Sequence, residues 1–389
     1  MTTVHPWAWW CWAIGIGLAV SGTTNPLLLA LIATATVAVV VLRRSAAPWA
    51  RSVKVYLLLS LFVIGMRVFF QILLGGGHGE TVLFALPEVP LPEWAAGIRL
   101  GGVVTAEALA YTVYDALRLA VMLLCIGAAN ALANPRQALR SVPAALYEAS
   151  VAVVIALSVA PQLIESAQRV RKARRLRGDP ARGLRALGAI VIPVLTDAIE
   201  RSMALAAGME SRGFARTRGL PVRGTLPLML IFVVVATFGV YLLLSTSLWQ
   251  VALSLVLVGI AGTAVGLRRA GARLAVTRYR PHPWGVRETL VALSGVLAAA
   301  LVLGLGWVEP SSLTAPWAAL LDPAALHPGT RPLEWPELTM PMFAVALLVL
   351  APVPLTRPRR FDAVGSVRSD TRVRLLRPRA ATVPELVRP

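Results

Sequence analysis

Apolar residues gather into eight long runs, Trp7–Val20, Leu27–Leu42, Val55–Leu74, Ala108–Ala131, Leu226–Leu244, Val251–Leu267, Thr289–Val308 and Met340–Leu355. A helix needs roughly 20 apolar residues to cross a hydrocarbon core of about 30 Å, so this pattern predicts a bundle of membrane helices. The first two runs are short and are separated only by the turn "SGTTNP", Ser21 to Pro26. They predict a tight helical hairpin whose Trp-rich start lies in the interfacial belt.

Between the fourth and fifth runs lie about ninety residues, Pro135 to Leu226, with a different pattern. A short helix, "PRQALRSVPAALYE", is followed by "ASVAVVIALSVAPQLIESAQRVRKARRLRG", apolar first and densely cationic later. Next comes "DPARGLRALGAIVIPVLTDAIERSMALAAGMESRG", again apolar first and polar later. These predict two long helices, each partly in the membrane and partly projecting into water. In the second, Leu184, Leu187, Val191, Val194, Ala198, Leu205 and Met209 recur at three- and four-residue steps, while Asp197, Glu200, Arg201 and Glu210 fall elsewhere on the wheel. Pro161 and Pro193 interrupt the two helices at comparable places, as bends or hinges.

Composition agrees with a membrane protein: 57% of residues are apolar and 15% charged, with a mean hydropathy of +0.70. The formal charge of +19 would suit a nucleic-acid binder, but excess Lys and Arg in membrane proteins collects in cytoplasmic loops. Here the basic residues do segregate. Arg43, Arg44, Arg51 and Lys54 follow the second run, and the stretches 135–224, 268–287 and 357–389 are basic. The third connection holds Glu80, Glu88, Glu93 and Glu107 against Arg99, and the stretch 309–339 holds acids against Arg331. Eight alternate crossings with both termini in the cytoplasm satisfy every connection, in the plasma membrane. Charge is thereby accounted for without nucleic acid. Cys11 and Cys125 form no disulfide or metal spacing, and the N-terminus lacks a basic region and a cleavage site, as a retained helix does rather than a signal peptide. The expected architecture is an all-α polytopic membrane protein of about eight spans plus two long cytoplasmic coupling helices. Its segments are 1–134, N-terminal spans; 135–224, coupling region; 225–356, C-terminal spans; and 357–389, a basic tail with the composition of a disordered, lipid-touching segment.

The two long helices end alike. Glu165 precedes Arg177-Gly178 by twelve positions, Glu200 precedes Arg212-Gly213 by the same twelve, and further pairs, Arg182-Gly183 and Arg218-Gly219, follow each. The chain has five Arg-Gly pairs, where about three would arise by chance, so a repeated helix end exceeds composition. A helix closing on Gly stops abruptly under an αL cap, and Arg in its last turn is favoured by the macrodipole. A small residue before the Arg, as with Ser211, lets such an end enter a partner's groove, where a guanidinium binds carboxylates or carbonyls in bidentate fashion. Two solvated C-caps are the plain alternative.

The segments "SAQRVRKARRLRG" and "AIVIPVLTDAIERSMALAAGMESRGF" resemble the paired coupling helices of the transmembrane T component of energy-coupling factor (ECF) transporters, the family that includes the membrane subunit of cobalt importers. The likeness extends in layout from Leu27 to Gly219 and is specific from Pro161 to Phe214. That family closes each coupling helix with an Ala-Arg-Gly-type motif, matched here by Leu176-Arg177-Gly178 and Ser211-Arg212-Gly213. Neither keeps the alanine; Ser211 is near-isosteric and Leu176 bulkier. The resemblance implies a non-catalytic scaffold linking two cytoplasmic ABC-type ATPase subunits to a small membrane S component that captures a vitamin or metal ion. It places Arg177 and Arg212 in grooves of the ATPases, with Glu165, Pro161, Pro193, Glu200 and Glu210 as supporting residues. No cofactor is expected on this chain. ATP-Mg belongs to the partners, in keeping with the lack of a G-x-x-x-x-G-K-[ST] motif.

Three ionisable residues fall inside runs, Arg67 in the third and Asp115 and Arg118 in the fourth, where charge is costly and usually paired. They suit a structural polar clamp. They also define the rival reading, an ATP-independent secondary transporter with a proton or ion path through them. No HExxH, GxSxG or paired-carboxylate constellation within the runs points to an intramembrane enzyme.

Overall fold

The computed structural model describes residues 4–43, 52–75, 79–89, 100–142, 146–178, 184–214, 225–245, 249–272, 284–306 and 322–356. The basic tail 357–389 and the pairs Arg182-Gly183 and Arg218-Gly219 lie outside the described residues. The chain folds as a mostly helical, polytopic membrane protein. Its helices are α1 (Pro6–Ser21), α2 (Pro26–Arg43), α3 (Ser52–Leu74), α4 (Ala106–Leu132), α5 (Pro135–Arg140), α6 (Tyr147–Leu176), α7 (Leu184–Ser211), α8 (Thr225–Ser245), α9 (Trp249–Ala272), α10 (Val286–Gly306), α11 (Met340–Leu350) and α12 (Pro352–Leu355).

Each expected apolar run is helical, but lengths redistribute the spans. Six described helices are long and apolar enough to cross a bilayer: Pro26–Arg43, Val53–Leu74, Ala106–Leu132, Ala149–Leu176, Trp249–Gly271 and Val286–Gly306. The fourth of these belongs to α6, expected as a coupling helix. Conversely, Pro227–Leu243 and Met340–Leu355 are shorter apolar helices, and α1 has only 16 residues.

The core is built on α1, which packs between α10 and α4, while α2 packs on α4 and α11, and α10 closes on α11. Small residues permit the closest approach. Gly15 of α1 faces Gly295 of α10 so tightly that a Cβ on either would overlap the other helix's backbone, the small-residue contact that holds membrane helices where no hydrophobic gain separates protein from lipid. Trp12, Ile16, Leu28, Ile32, Val291 and Met342 fill the space between. α10 and α11 thus join the first two helices although more than 240 residues of chain separate them from α1.

One end of this bundle carries Trp7, whose indole N–H donates to Ser141 Oγ at 2.7 Å, and the His5 ring, 5.4 Å from that of Trp284. At the other end the α1–α2 turn is clasped by the segment before α11. The backbone N–H groups of Thr24 and Asn25 donate to the Leu326 carbonyl at 3.0 and 3.2 Å, as does Thr23 Oγ1 at 2.8 Å. The buried Asn25 amide donates to the carbonyls of Ala325 and Glu337, each at 2.7 Å. Its Oδ1 accepts from the N–H groups of Leu27 and Leu28, capping α2 at its N-terminus.

The third connection holds structure that its polarity did not announce: strands β1 (Val82–Val89) and β2 (Leu100–Thr105) pair antiparallel, with Val82 opposite Thr105 and Ala85 opposite Val103. Valines and a threonine suit the pleat, and Gly101 and Gly102, at φ +89° and +108°, supply backbone that other residues resist. The Thr81 N–H donates to Glu107 Oε1 at 3.0 Å, tying the strands to the first turn of α4.

Candidate functional site: the two Arg-Gly helix ends

α6 closes on Arg177, whose N–H donates to the carbonyls of Ala173 and Arg174 at 3.2 and 3.1 Å. Gly178 follows at φ +70° and donates to Arg175 at 3.2 Å. α7 ends on the same kind of backbone. Gly213 at φ +76° donates to the Glu210 carbonyl at 2.9 Å, and Phe214 donates to Met209 at 3.0 Å. Those two bonds make a Schellman motif. Ser211 Oγ donates to Gly208 at 3.0 Å. A Cβ at Gly178 or Gly213 would touch nothing, so glycine is selected at both by the left-handed backbone, not by space. Both arginines sit where the helix dipole is negative.

α7 folds back across α6. The helices meet over an apolar groove of about 200 Å³ lined by Leu163, Ala167, Ile190, Val194 and Ala198 among others, and beside it Ser166 donates to Asp197 at 2.8 Å. They touch again where Phe214, just past the end of α7, lies 6.3 Å from Tyr147 at the start of α6, ring centre to ring centre. One Arg-Gly end therefore stands at the start of α6 and the other at its finish. At 1.5 Å per residue, the separation is on the order of 40 Å.

Leu176 is 81% exposed, and Arg177, Ser211 and Arg212 are exposed as well. Neither the Arg177 nor the Arg212 guanidinium has a hydrogen bond or ion pair among the described residues. Glu165, Glu200 and Glu210 are exposed, and both helices continue through Pro161 and Pro193. The wheel placed Asp197 off the apolar stripe of α7, with Glu200, Arg201 and Glu210. Instead it turns toward α6, where besides Ser166 it accepts from Arg201 Nε at 2.9 Å and lies 3.9 Å from Arg169. The only signal for it in the chain is Arg201 four residues on, a spacing that marks a local ion pair and not a contact between helices.

Arg67, Asp115 and Arg118 come together between α3 and α4. Arg67 donates to Asp115 Oδ2, and Arg118 donates to Oδ1 at 2.7 Å. They are one rung of a polar ladder along the two helices: Asn130 donates to the Tyr56 hydroxyl at 2.8 Å, Ser60 to the Ala120 carbonyl at 2.9 Å, and Thr112 to Gln71 Oε1 at 3.1 Å. Among the described residues no three His, Cys, Asp or Glu side chains gather in a way that could hold a metal ion.

The chain is thus a polytopic helical bundle bearing a crossed pair of long helices, each ended by an exposed Arg before a left-handed Gly. The sequence pattern of the cobalt transport protein family, CbiQ, matches residues 4–221. That is more than half the chain, which belongs to this family of transmembrane components of energy-coupling factor transporters. The match takes in α1 to α7 and stops before α8. No curated protein matches the chain.

Proposed function

We propose that this chain is the transmembrane scaffold of an ECF-type, ATP-driven importer. Two cytoplasmic ABC-type ATPase subunits hold the ends Leu176-Arg177-Gly178 and Ser211-Arg212-Gly213, and a separate membrane S component brings a vitamin or metal ion. ATP-Mg is bound and hydrolysed in the partner subunits. The chain lies in the plasma membrane with both termini, and the Trp7 end of the bundle, on the cytoplasmic side.

The observation that carries this reading is the pair of unpartnered arginines at opposite ends of one helical crossing. Separation on the order of 40 Å suits two subunits better than one groove. An Arg held on a capped helix end, with its five donors in a fixed fork and no internal acceptor, is poised for carboxylates or carbonyls of another protein. The faces of α6 and α7 turned away from each other remain apolar, with Val153, Ile164, Leu187, Ile192, Ile199 and Met203 exposed. That surface is a platform for a membrane partner or lipid. Asp115 is satisfied by two arginines, as in a clamp that holds α3 to α4 and unlike an acid kept free to relay protons.

The deciding experiment is purification of the tagged chain at native expression in mild detergent, with mass spectrometry of stoichiometric partners. Recovery of two Walker-A-bearing ATPases and a small hydrophobic protein is expected, and Arg177→Glu with Arg212→Glu removes the ATPases and uptake while leaving insertion and folding intact. A wild-type chain that purifies alone and moves solute into vesicles without ATP would overturn the proposal. In that event Arg67→Leu or Asp115→Leu would stop transport and the double Glu variant would not.

A further inference from the structure

The contact between α6 and α7 is short and mostly apolar, and small residues, Ala167 and Ala198, line it. Such a contact resists separation but not sliding or rotation, because dispersion between smooth apolar surfaces has little direction. Direction comes from one carboxylate. Asp197 on α7 accepts a 2.8 Å hydrogen bond from Ser166 of α6, a residue only 4% exposed. Arg201, one turn along on α7, holds the other oxygen at 2.9 Å and thereby fixes the rotamer that faces α6. Arg169, three residues beyond Ser166 on α6, adds its charge at 3.9 Å. Charge-assisted hydrogen bonds of this kind are shorter, stronger and more directional than neutral ones.

The two Arg-Gly ends lie on opposite arms from this point. Arg177 is eleven residues past Ser166 along α6, and Arg212 is fifteen residues past Asp197 along α7, arms of about 16 and 22 Å pointing in opposite senses. Displacement of one arm reaches the other through the crossing or through the Tyr147–Phe214 ring contact at the far end of α6. The ring contact is a tilted, apolar touch with no hydrogen bond, so it transmits a push but not a rotation.

We propose that Asp197 is the pivot of the coupling pair: with Ser166, Arg169 and Arg201 it fixes the crossing of α6 on α7, so that motion imposed at one Arg-Gly end appears at the other. It is a positioning residue, acting through the arginines and not touching nucleotide or transported solute. The inference rests on the proposed function.

The test uses the complete transporter in vesicles and two readouts. One is solute taken up per ATP hydrolysed. The other is the distance between spin labels on the exposed positions Ala173→Cys and Ala207→Cys, with Cys11 and Cys125 replaced by Ser and Ala. In the wild-type background the distance is narrow and shifts with ATP. Asp197→Ala is expected to keep both ATPases and their hydrolysis, to lower uptake per ATP about tenfold, and to broaden the distance while erasing its ATP response. Asp197→Asn, which still accepts from Ser166 but carries no charge, gives a smaller loss in the same direction. Wild-type uptake per ATP and a wild-type distance response in Asp197→Ala would overturn the pivot. So would loss of ATPase assembly in both variants, which would make Asp197 a folding residue. The same distance measured on the isolated chain in detergent separates this inference from the function it rests on: broadening by Asp197→Ala there supports the pivot whether or not ATPases co-purify, and an unchanged narrow distance there overturns it.

Discussion

Two of the antiparallel helical pairs in the chain, α6–α7 and α8–α9, are built on opposite plans. α8 and α9 lie against each other along their whole length with glycines at every contact level. A Cβ on Gly259 would stand 2.6 Å from the Ala236 backbone nitrogen, one on Gly239 would stand 2.8 Å from that of Val256, and Gly262 and Gly266 make room for Phe232 and Met229. α6 and α7, by contrast, touch at a crossing and at one ring contact, and the Asp197 cluster links them. Long flush packing makes a rod; a single directed contact makes a pair of arms. A membrane hairpin needs the first, and the proposed relay between the two Arg-Gly ends would need the second.

The comparison can be broken most severely at α8–α9. Gly259→Leu forces side-chain atoms into the Ala236 backbone, and overpacking of this kind costs about 1–3 kcal/mol or more. The expected result is a drop of several degrees in thermal midpoint in detergent. At the crossing the same addition is nearly harmless: Ala167→Leu enters an open apolar groove and changes stability by less than about 0.5 kcal/mol. Equal midpoints for the two variants would erase the distinction. A change of intermediate size comes from the caps. Gly213→Ala places a Cβ on left-handed backbone at about 1–2 kcal/mol and breaks the bonding that orients Arg212. ATPase association, measured by titration in detergent, should weaken about tenfold, that being the affinity equivalent of about 1.4 kcal/mol. Gly178→Ala is expected to act in the same direction, since Gly178 also sits on left-handed backbone at φ +70°. The smallest expected effect belongs to the clasp at the Asn25 end. Burial, and then the nearby positive charge of Arg118, hold the His327 imidazole below its ordinary value. Its folded form therefore resists the proton that the unfolded chain accepts, so stability is highest above about pH 6.5 and declines as pH falls through that region. Thermal midpoints at pH 7.5 and 5.5 should differ by a small amount that His327→Gln removes; an unchanged pH dependence in the variant would assign it elsewhere.

The helices were legible because long apolar runs announce themselves, and the two caps were legible because Arg before Gly has a direct backbone meaning. What was not legible has physical reasons. Helices apolar on every side carry no record of which face meets protein and which meets lipid, so the packing of α10 and α11 on α1 and α2 was invisible despite Gly15 and Gly295 being in plain view. The β1–β2 pair was hidden in a connection read only for its charge. The contact of Asp197 with α6 was not legible because a helical wheel locates a residue around an axis and cannot say where a second helix crosses.

The clasp at the Asn25 end has a consequence for the bilayer. α1 begins and α4 ends near Trp7, whose indole reaches Ser141 just beyond α4, yet α1 has 16 residues and α4 has 27, lengths of about 24 and 40 Å. The α1–α2 turn and the segment that binds it therefore stop well short of the level reached by α3, α4 and their strands. Lipid next to α1 meets a hydrophobic wall of about 24 Å, thinner than a relaxed membrane, and must compress or admit water there. The protein thus carries a built-in low spot in the surface around it, on the side of the bundle where the Asn25 clasp lies.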